Sequence, residues 1–291
     1  MKKGIAVTNL KALTGQKLKE STAAFARERD ADLVGFAPAL RWDEYGEVPV
    51  EFRPRSIWPL ARIVIVLGMA MPLLIVETTP SVPHMELYRT VNAALDKLAY
   101  DLTRHLNRQG YASVYFTHDG FSSLRALREY NLAAFSHAMA AKYAGLGTIG
   151  VSHCILTPEF GPRVRFISVF TAVEIPPDPV MSGQLCIECG LCARCCPKGA
   201  LGWKKGRMPA DYDKTACLEM AEELTKERRY PCGICVKVCP IGADRQLYKA
   251  EGSGKKYLME KEVLARNPDS PEYRSWTHMR KYGSPKGRDE E

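Results

Sequence analysis

Cys186-Ile187-Glu188-Cys189-Gly190-Leu191-Cys192-Ala193-Arg194-Cys195-Cys196-Pro197 is the stretch on which the reading of this chain turns. Cys186, Cys189, Cys192 and Cys196 are separated by two, two and three residues and run into a proline, the arrangement that holds 4Fe-4S clusters. Three thiolates on one tight loop grip three irons of a cubane, while the fourth points away to a second cluster, so a partner motif is required. It follows downstream. Cys232, Cys235 and Cys239-Pro240 repeat the spacing of two and three, and Cys217, fifteen positions before Cys232, supplies the missing member. Crossing over gives cluster one Cys186, Cys189, Cys192 and Cys239, and cluster two Cys196, Cys217, Cys232 and Cys235. Zinc is the competing reading. Zinc sites usually pair two short cysteine or histidine clips, and two longer runs that each end in Cys-Pro are not explained that way. Cys154 and Cys195 stand outside the count, and a spare cysteine is commonly a small buried hydrophobe.

Around this motif the chain has the composition of an ordinary globular protein. It has 291 residues, 46% hydrophobic and 25% charged, which argues against disorder, collagen and coiled coil. Nine of the ten cysteines fall between Cys186 and Cys239, a clustering that marks a cofactor site rather than a disulfide scaffold. Met1-Lys2-Lys3 leads into mixed polar sequence, without the apolar run of a secretory signal or a twin-arginine start. The most apolar segment, Ile63 to Val76, is short for a membrane span and is interrupted by Gly68 and Pro72. The expectation is a soluble cytoplasmic protein in a reducing compartment, with no membrane attachment.

Ahead of the cysteines the pattern alternates between helix and strand. Thr14 stands at the cap of a helix carrying Leu18, Thr22 and Phe25, and Leu33 to Phe36 reads as a strand. Ile63 to Leu67, continuously apolar and β-branched, reads as a central strand buried on both faces. Leu87, Val91, Leu95, Leu98, Leu102 and Leu106 form one stripe of a helix from about 84 to 108. Tyr111 to Phe116 reads as another strand, and about 123 to 144 as one helix, ending in the glycine-rich Gly145-Leu146-Gly147-Thr148-Ile149-Gly150. Pro158 to Pro162 is expected to turn a hairpin between strands at 152–157 and 164–170, and Pro176 to Pro179 to mark a domain junction. Residues 251–291 read as a polar, loosely packed tail.

Several of these segments, taken in order, resemble the epoxyqueuosine reductase and reductive dehalogenase superfamily. They are Pro59 to Gly68, Ala144 to Gly150, Thr157 to Arg165 and the double cysteine motif, within a similarity that covers roughly residues 30–248. The resemblance implies an α/β (α+β) fold: a nitroreductase-like cobalamin and substrate domain over 1–178, with a mixed sheet and flanking helices, then a ferredoxin-like two-cluster domain over 179–250. It implies base-off cobalamin, and the chain has no Asp-x-His-x-x-Gly arrangement to supply a lower imidazole ligand. Cobalamin contacts are expected at Ala144, Gly145, Leu146, Gly147 and Gly150, with Arg163 and Arg165 orienting an anionic substrate or a cofactor side chain. By offset from the glycine segment, Asn131 occupies the position where epoxyqueuosine reductases carry an acidic proton donor. Tyr130, His137 and Tyr143 are then the candidate catalytic donors.

The activity so implied is reduction of a carbon–heteroatom bond in a small organic or nucleoside substrate. Two other readings stay open: a low-potential electron carrier serving a corrinoid or other redox partner, and a flavin-containing iron–sulfur reductase. The net charge of +8 is spread thinly, but residues 186–250 hold 12 basic against 8 acidic side chains. This balance suits an acidic ferredoxin or flavodoxin as electron donor and gives transfer RNA little support as a partner.

Overall fold

The computed structural model describes residues 13–130, 133–249, 252–273, 278–280 and 282. Among them the strands are β1 (Leu33–Pro38), β2 (Ile63–Ala70), β3 (Ser113–Phe116), β4 (Thr148–Ile149), β5 (Ile155–Leu156), β6 (Val164–Thr171), β7 (Leu201–Lys204) and β8 (Arg207–Tyr212). β2 organises the N-terminal part because successive side chains of a strand point to opposite faces. Ile63, Ile65, Leu67 and Met69 pack on one face against Leu95, Leu98, Leu102 and Leu106 of the helix Val82–Arg108 and against Leu18 and Ala26 of the helix Gly15–Arg27. Val64 and Val66 pack on the other face against Trp42, Phe135, Ala140, Ala141 and Tyr143. A strand with a core on each side must be apolar at every position, which is why it reads as an unbroken run. Each buried leucine in the long helix contributes about 1.5–3 kcal/mol by leaving water. That helix starts where the Ser81 hydroxyl accepts from the His84 backbone N–H, with Pro83 in the first turn.

The sheet has the order β1-β2-β6-β3. Its pairings are antiparallel throughout, in place of the expected mixed sheet. The helix Val82–Arg108 does return β3 in the same direction as β2, as a crossover should, but β6 slots between the two and pairs with both. The α/β class and the flanking helices are as expected. β6 does not form a hairpin with the 152–157 segment: β5 pairs instead with β4, and the Thr157–Gly161 bridge closes a tight turn before β6. The single helix expected over 123–144 is two, Leu124–Tyr130 and His137–Tyr143. The second starts afresh where the Ser136 hydroxyl accepts from Met139 N–H.

The cysteine-rich part is built twice from one unit. Gly190 and Gly233 sit at φ 67° and 64°, where a side chain is strained, and each turns its loop into a helix carrying the next cysteine, Leu191–Arg194 and Ile234–Val238. A Cβ on Gly190 would come within 2.4 Å of the Trp203 ring, and one on Gly233 within 2.8 Å of His84. The two helices pack together, with Cys195 buried between them and the surrounding apolar side chains, a hydrophobe as its surplus suggests. Where composition suggests a loose tail, the helix Ser253–Arg266 lays Tyr257 and Leu258 on this core. Its buried Glu260 pairs with Arg280 and, at 3.8 Å, with Lys237.

Candidate functional site

The ligand cysteines line two cavities, four to each. The first, about 20 Å³, is bounded by Cys186, Cys189, Cys192 and Cys239, together with Gly150, Leu156 and Ile241. The second, about 510 Å³, is bounded by Cys196, Cys217, Cys232 and Cys235. The fold divides the cysteines in this way because each one-turn helix ends by sending its last cysteine toward the other loop. Among the described residues no three His, Cys, Asp or Glu side chains converge as a single metal ion requires. The two sets of four instead surround cavities, as Cys₄ ligation of a four-iron cube asks. Burial pushes the Cys192 thiol up to about 12 and those of Cys232 and Cys239 up to about 11. Bare thiolates are therefore disfavoured in these cavities, and coordination to iron is what removes such protons.

The larger cavity extends beyond its cysteines. Its walls include Leu124, Leu127 and Leu218, and its far end holds a polar group: Tyr88, Asp119, Arg165 and Tyr230. Arg165 Nη2 donates to Asp119 Oδ1 at 3.0 Å and its Nε to Asn92 Oδ1 at 2.9 Å, while its guanidinium lies 4.6 Å from the centre of the Tyr88 ring. The Tyr88 hydroxyl donates to Asp119 Oδ1 at 3.1 Å, and the Tyr230 ring meets Tyr88 edge-on at 5.9 Å. Burial raises both phenols above their ordinary range. Of this group only Arg165 is legible in the sequence; Tyr88, Asp119 and Tyr230 come from a helix, a turn and a loop far apart in the chain. Tyr230 carries one usable signal, its place just before Pro231-Cys232.

Arg163, expected beside Arg165 as a substrate-orienting group, has a different task. It is completely buried, and each of its three nitrogens donates to the chain around it. Nε and Nη2 grip Asp244 at 2.7 and 2.5 Å, Nη2 also reaches the Ile241 carbonyl at 2.7 Å, and Nη1 the Cys239 carbonyl at 3.2 Å. Residues two apart share a face of a regular strand, but Arg163 precedes β6 and turns into the cysteine loop, whereas Arg165 lies within β6 and faces the cavity.

Residues 185–243 match the family profile of the 4Fe-4S dicluster domain. A tetrachloroethene reductive dehalogenase of Desulfitobacterium hafniense is 28% identical over 167 residues, covering 56% of this chain and 26% of that protein. A solved reductive dehalogenase, described with a B12-dependent dehalogenation mechanism, superposes with a TM-score of 0.61 at 21% identity over 95% of this chain and 37% of its own. An epoxyqueuosine reductase solved with a modified tRNA stem loop superposes with a TM-score of 0.52 at 19% identity, over 77% of this chain and 64% of its own. In sequence and in fold the chain is similar to reductive dehalogenases and epoxyqueuosine reductases. It spans about a quarter of the length of the dehalogenase it matches in sequence.

The glycine-rich segment approaches its own chain. A Cβ on Gly145 would lie 2.0 Å from the Pro179 carbonyl oxygen, and one on Gly147 2.0 Å from that of Leu156. Ala144 is buried in the sheet core with Leu146 packed beside it, and of the five residues expected at cobalamin Gly150 alone lines one of the two cysteine cavities, the first. Tyr143 does not reach either cavity: its ring is buried beside Trp42 and Tyr45, and its hydroxyl donates to Glu47 Oε2 at 2.9 Å. His137 is likewise engaged, Nε2 donating to the Thr117 carbonyl at 2.9 Å and Nδ1 accepting from Ser168 Oγ at 3.0 Å. Burial, aided by the charge of Arg165, lowers it to about 4, so it is neutral at pH 7. Tyr130 ends the helix Leu124–Tyr130, and its side chain, like Asn131, lies outside the described residues.

Proposed function

We propose that this chain is an iron–sulfur oxidoreductase in which electrons pass singly through two 4Fe-4S clusters into the larger cavity. There a base-off cobalamin meets an organic substrate whose carbon–heteroatom bond is reduced. The observation that carries this reading is the division of eight cysteines into two cavities, the second of which continues into a chamber with a polar far wall. At about 510 Å³ the chamber is the size of an ordinary small-ligand pocket, roughly 300–1,000 Å³. No histidine is among its lining residues, which suits a corrinoid without a protein imidazole. Bound there, a corrinoid supplies low-valent cobalt chemistry.

The residues of the chain do the rest. Leu124, Leu127 and Leu218 keep water from the chamber. Tyr88 and Tyr230, raised by burial, keep their protons at neutral pH and serve as donors, not bases. Asp119 and Arg165 hold the Tyr88 hydroxyl in place. The substrate is a small molecule or a nucleoside. Transfer RNA is the lesser partner, since Arg128, Lys198 and Arg207 on this side are already in ion pairs. An acidic ferredoxin or flavodoxin is the proposed electron donor. Among the described residues no helix is long and apolar enough to cross a membrane. The ten cysteines, free of disulfides, fit a reducing compartment such as the cytoplasm.

Anaerobic purification and reconstitution test this reading, with about eight irons and one cobalt expected per chain. Eight irons with neither cobalt nor flavin after loading with cobalamin would leave an electron carrier, and flavin in place of cobalt the flavin-containing reductase. Tyr88→Phe is expected to lower turnover about 10²–10⁴-fold with iron content unchanged.

A further inference from the structure

A third cavity, of about 380 Å³, adjoins the polar end of the chamber. Tyr88, Asp119 and Tyr230 line both it and the chamber, and so form the wall between them. Away from that wall the third cavity meets solvent, since Arg89, Ala93, Thr225 and Arg228 at its edge are exposed. His118 and Asp96 line it too, with 28% and 31% of their side chains exposed, so water reaches both. The Asp96 carboxylate grips His118 twice: Oδ1 accepts the backbone N–H at 3.0 Å, and Oδ2 accepts from ring Nδ1 at 2.6 Å. In the neutral ring the proton therefore sits on Nδ1, and Nε2 is left to take up another. That nitrogen is 3.6 Å from Asp119 Oδ2. The Tyr88 hydroxyl lies 3.1 Å from Asp119 Oδ1 and 3.4 Å from Oδ2, while Arg165 Nη2 donates to Oδ1 at 3.0 Å. A line of titratable groups thus crosses the wall, from solvent through His118 and Asp119 to Tyr88.

We propose that His118, held by Asp96, relays protons from solvent through Asp119 to Tyr88. The inference rests on the reading of Tyr88 as the proton donor of the chamber. Having given its proton to the substrate, Tyr88 is left as a phenolate and must be reprotonated before it can act again. A hydronium ion or buffer acid in the third cavity protonates His118 Nε2, and the imidazolium passes that proton to Asp119 Oδ2. Asp119 passes it to the Tyr88 oxygen, and each group returns to its starting state. The net movement is one proton from solvent to substrate, with electrons arriving separately from the clusters. Arg165 occupies Asp119 Oδ1, which leaves Oδ2 to carry the proton. The other charged groups nearby do not compete. Arg89, Arg165 and Arg228 keep their protons, and His137 is engaged at both nitrogens. His118 and Asp96 do not touch the substrate; both act through Tyr88 as positioning residues.

The test begins with ¹⁵N-histidine NMR of the cluster-loaded protein, His118→Gln identifying the signal. Neutral His118 is expected to carry its proton on Nδ1. In Asp96→Asn the backbone N–H of His118 keeps the amide oxygen, which turns the amide NH₂ toward Nδ1 and moves the ring proton to Nε2. Turnover is then followed with a brominated hydroxybenzoate and an epoxide-bearing nucleoside as probes. The imidazolium is the donor, so wild-type kcat should fall as pH rises through the titration of His118. His118→Gln and Asp96→Asn are expected to lower kcat about 10²-fold, leave KM and iron content unchanged and abolish that alkaline limb. Added imidazole should restore turnover to His118→Ala, which a merely structural histidine would not allow. A proton on Nε2 of the neutral wild-type ring, or variants that keep the wild-type kcat and its alkaline limb, overturns the relay and leaves the two-cluster reductase intact. A wild type inactive on both probes, or undiminished turnover in Tyr88→Phe, would instead remove the reading on which the relay rests.

Discussion

The first cysteine cavity, about 20 Å³, is walled by Gly150, Val151, Leu156 and the Cys239–Ile241 loop, whereas the second, about 510 Å³, continues into a chamber edged by Tyr88, Arg165 and Tyr230. Both begin from the same local unit, a left-handed glycine followed by a one-turn helix. The difference lies in what each unit meets. Trp203 closes over Gly190, and the β7–β8 hairpin packs against Cys186 and Cys192. Around the second unit, the helices Leu124–Tyr130 and Lys214–Lys226 stand back and leave room. Repeating a cysteine motif therefore repeats the local fold, while its surroundings decide which cavity has space beside it.

The sharpest way to break this comparison is to exchange the swapped ligands. Cys239→Ala is expected to lose the first cluster and retain the second, and Cys196→Ala the reverse, each removing about half the iron. Loss of the second cluster alone from Cys239→Ala would refute the crossover. Next in size is Arg163→Met. It leaves Asp244 buried without its partner and frees the Cys239 loop, which should cost about 3–5 kcal/mol in reversible unfolding and loosen the first cluster before the second. A loss below about 1 kcal/mol would show that the clamp is unimportant.

The smallest effect belongs to a residue outside both cavities. His137 titrates at about 4 in the folded protein and near 6.5 when unfolded, so the unfolded chain binds more protons between these values. Its contribution to stability is full above about pH 6.5 and is lost as pH falls toward 4. His137→Gln should therefore flatten the decline in stability between pH 7 and pH 5, measured by denaturant unfolding, with iron content unchanged. An identical decline in both proteins would rule this out.

The cluster ligands were legible because their geometry is local. Two residues between cysteines place both on one loop, and Cys-Pro ends the run whatever lies around it. The β2 strand and the long helix were legible for a similar reason, since their apolar periods match the faces they bury. The chamber was not. Tyr88, Asp119, Arg165 and Tyr230 lie on separate elements and meet only because β6 inserts between β2 and β3 and carries Arg165 to the helix bearing Tyr88. Nor do Tyr143 and His137, which look like free donors on a helix, reveal from sequence that Glu47, Ser168 and Thr117 already engage them.

By itself the sequence determined the identity and pairing logic of eight thiolate ligands and the strands and helices whose burial follows from their periodicity. Only the tertiary structure decided that Arg163 is a buried clamp and Arg165 faces the chamber, and that Cys195 fills a core. The physical reason is reach. Spacing constrains groups that share a loop, but what a side chain touches across the fold depends on which distant segments pack against it.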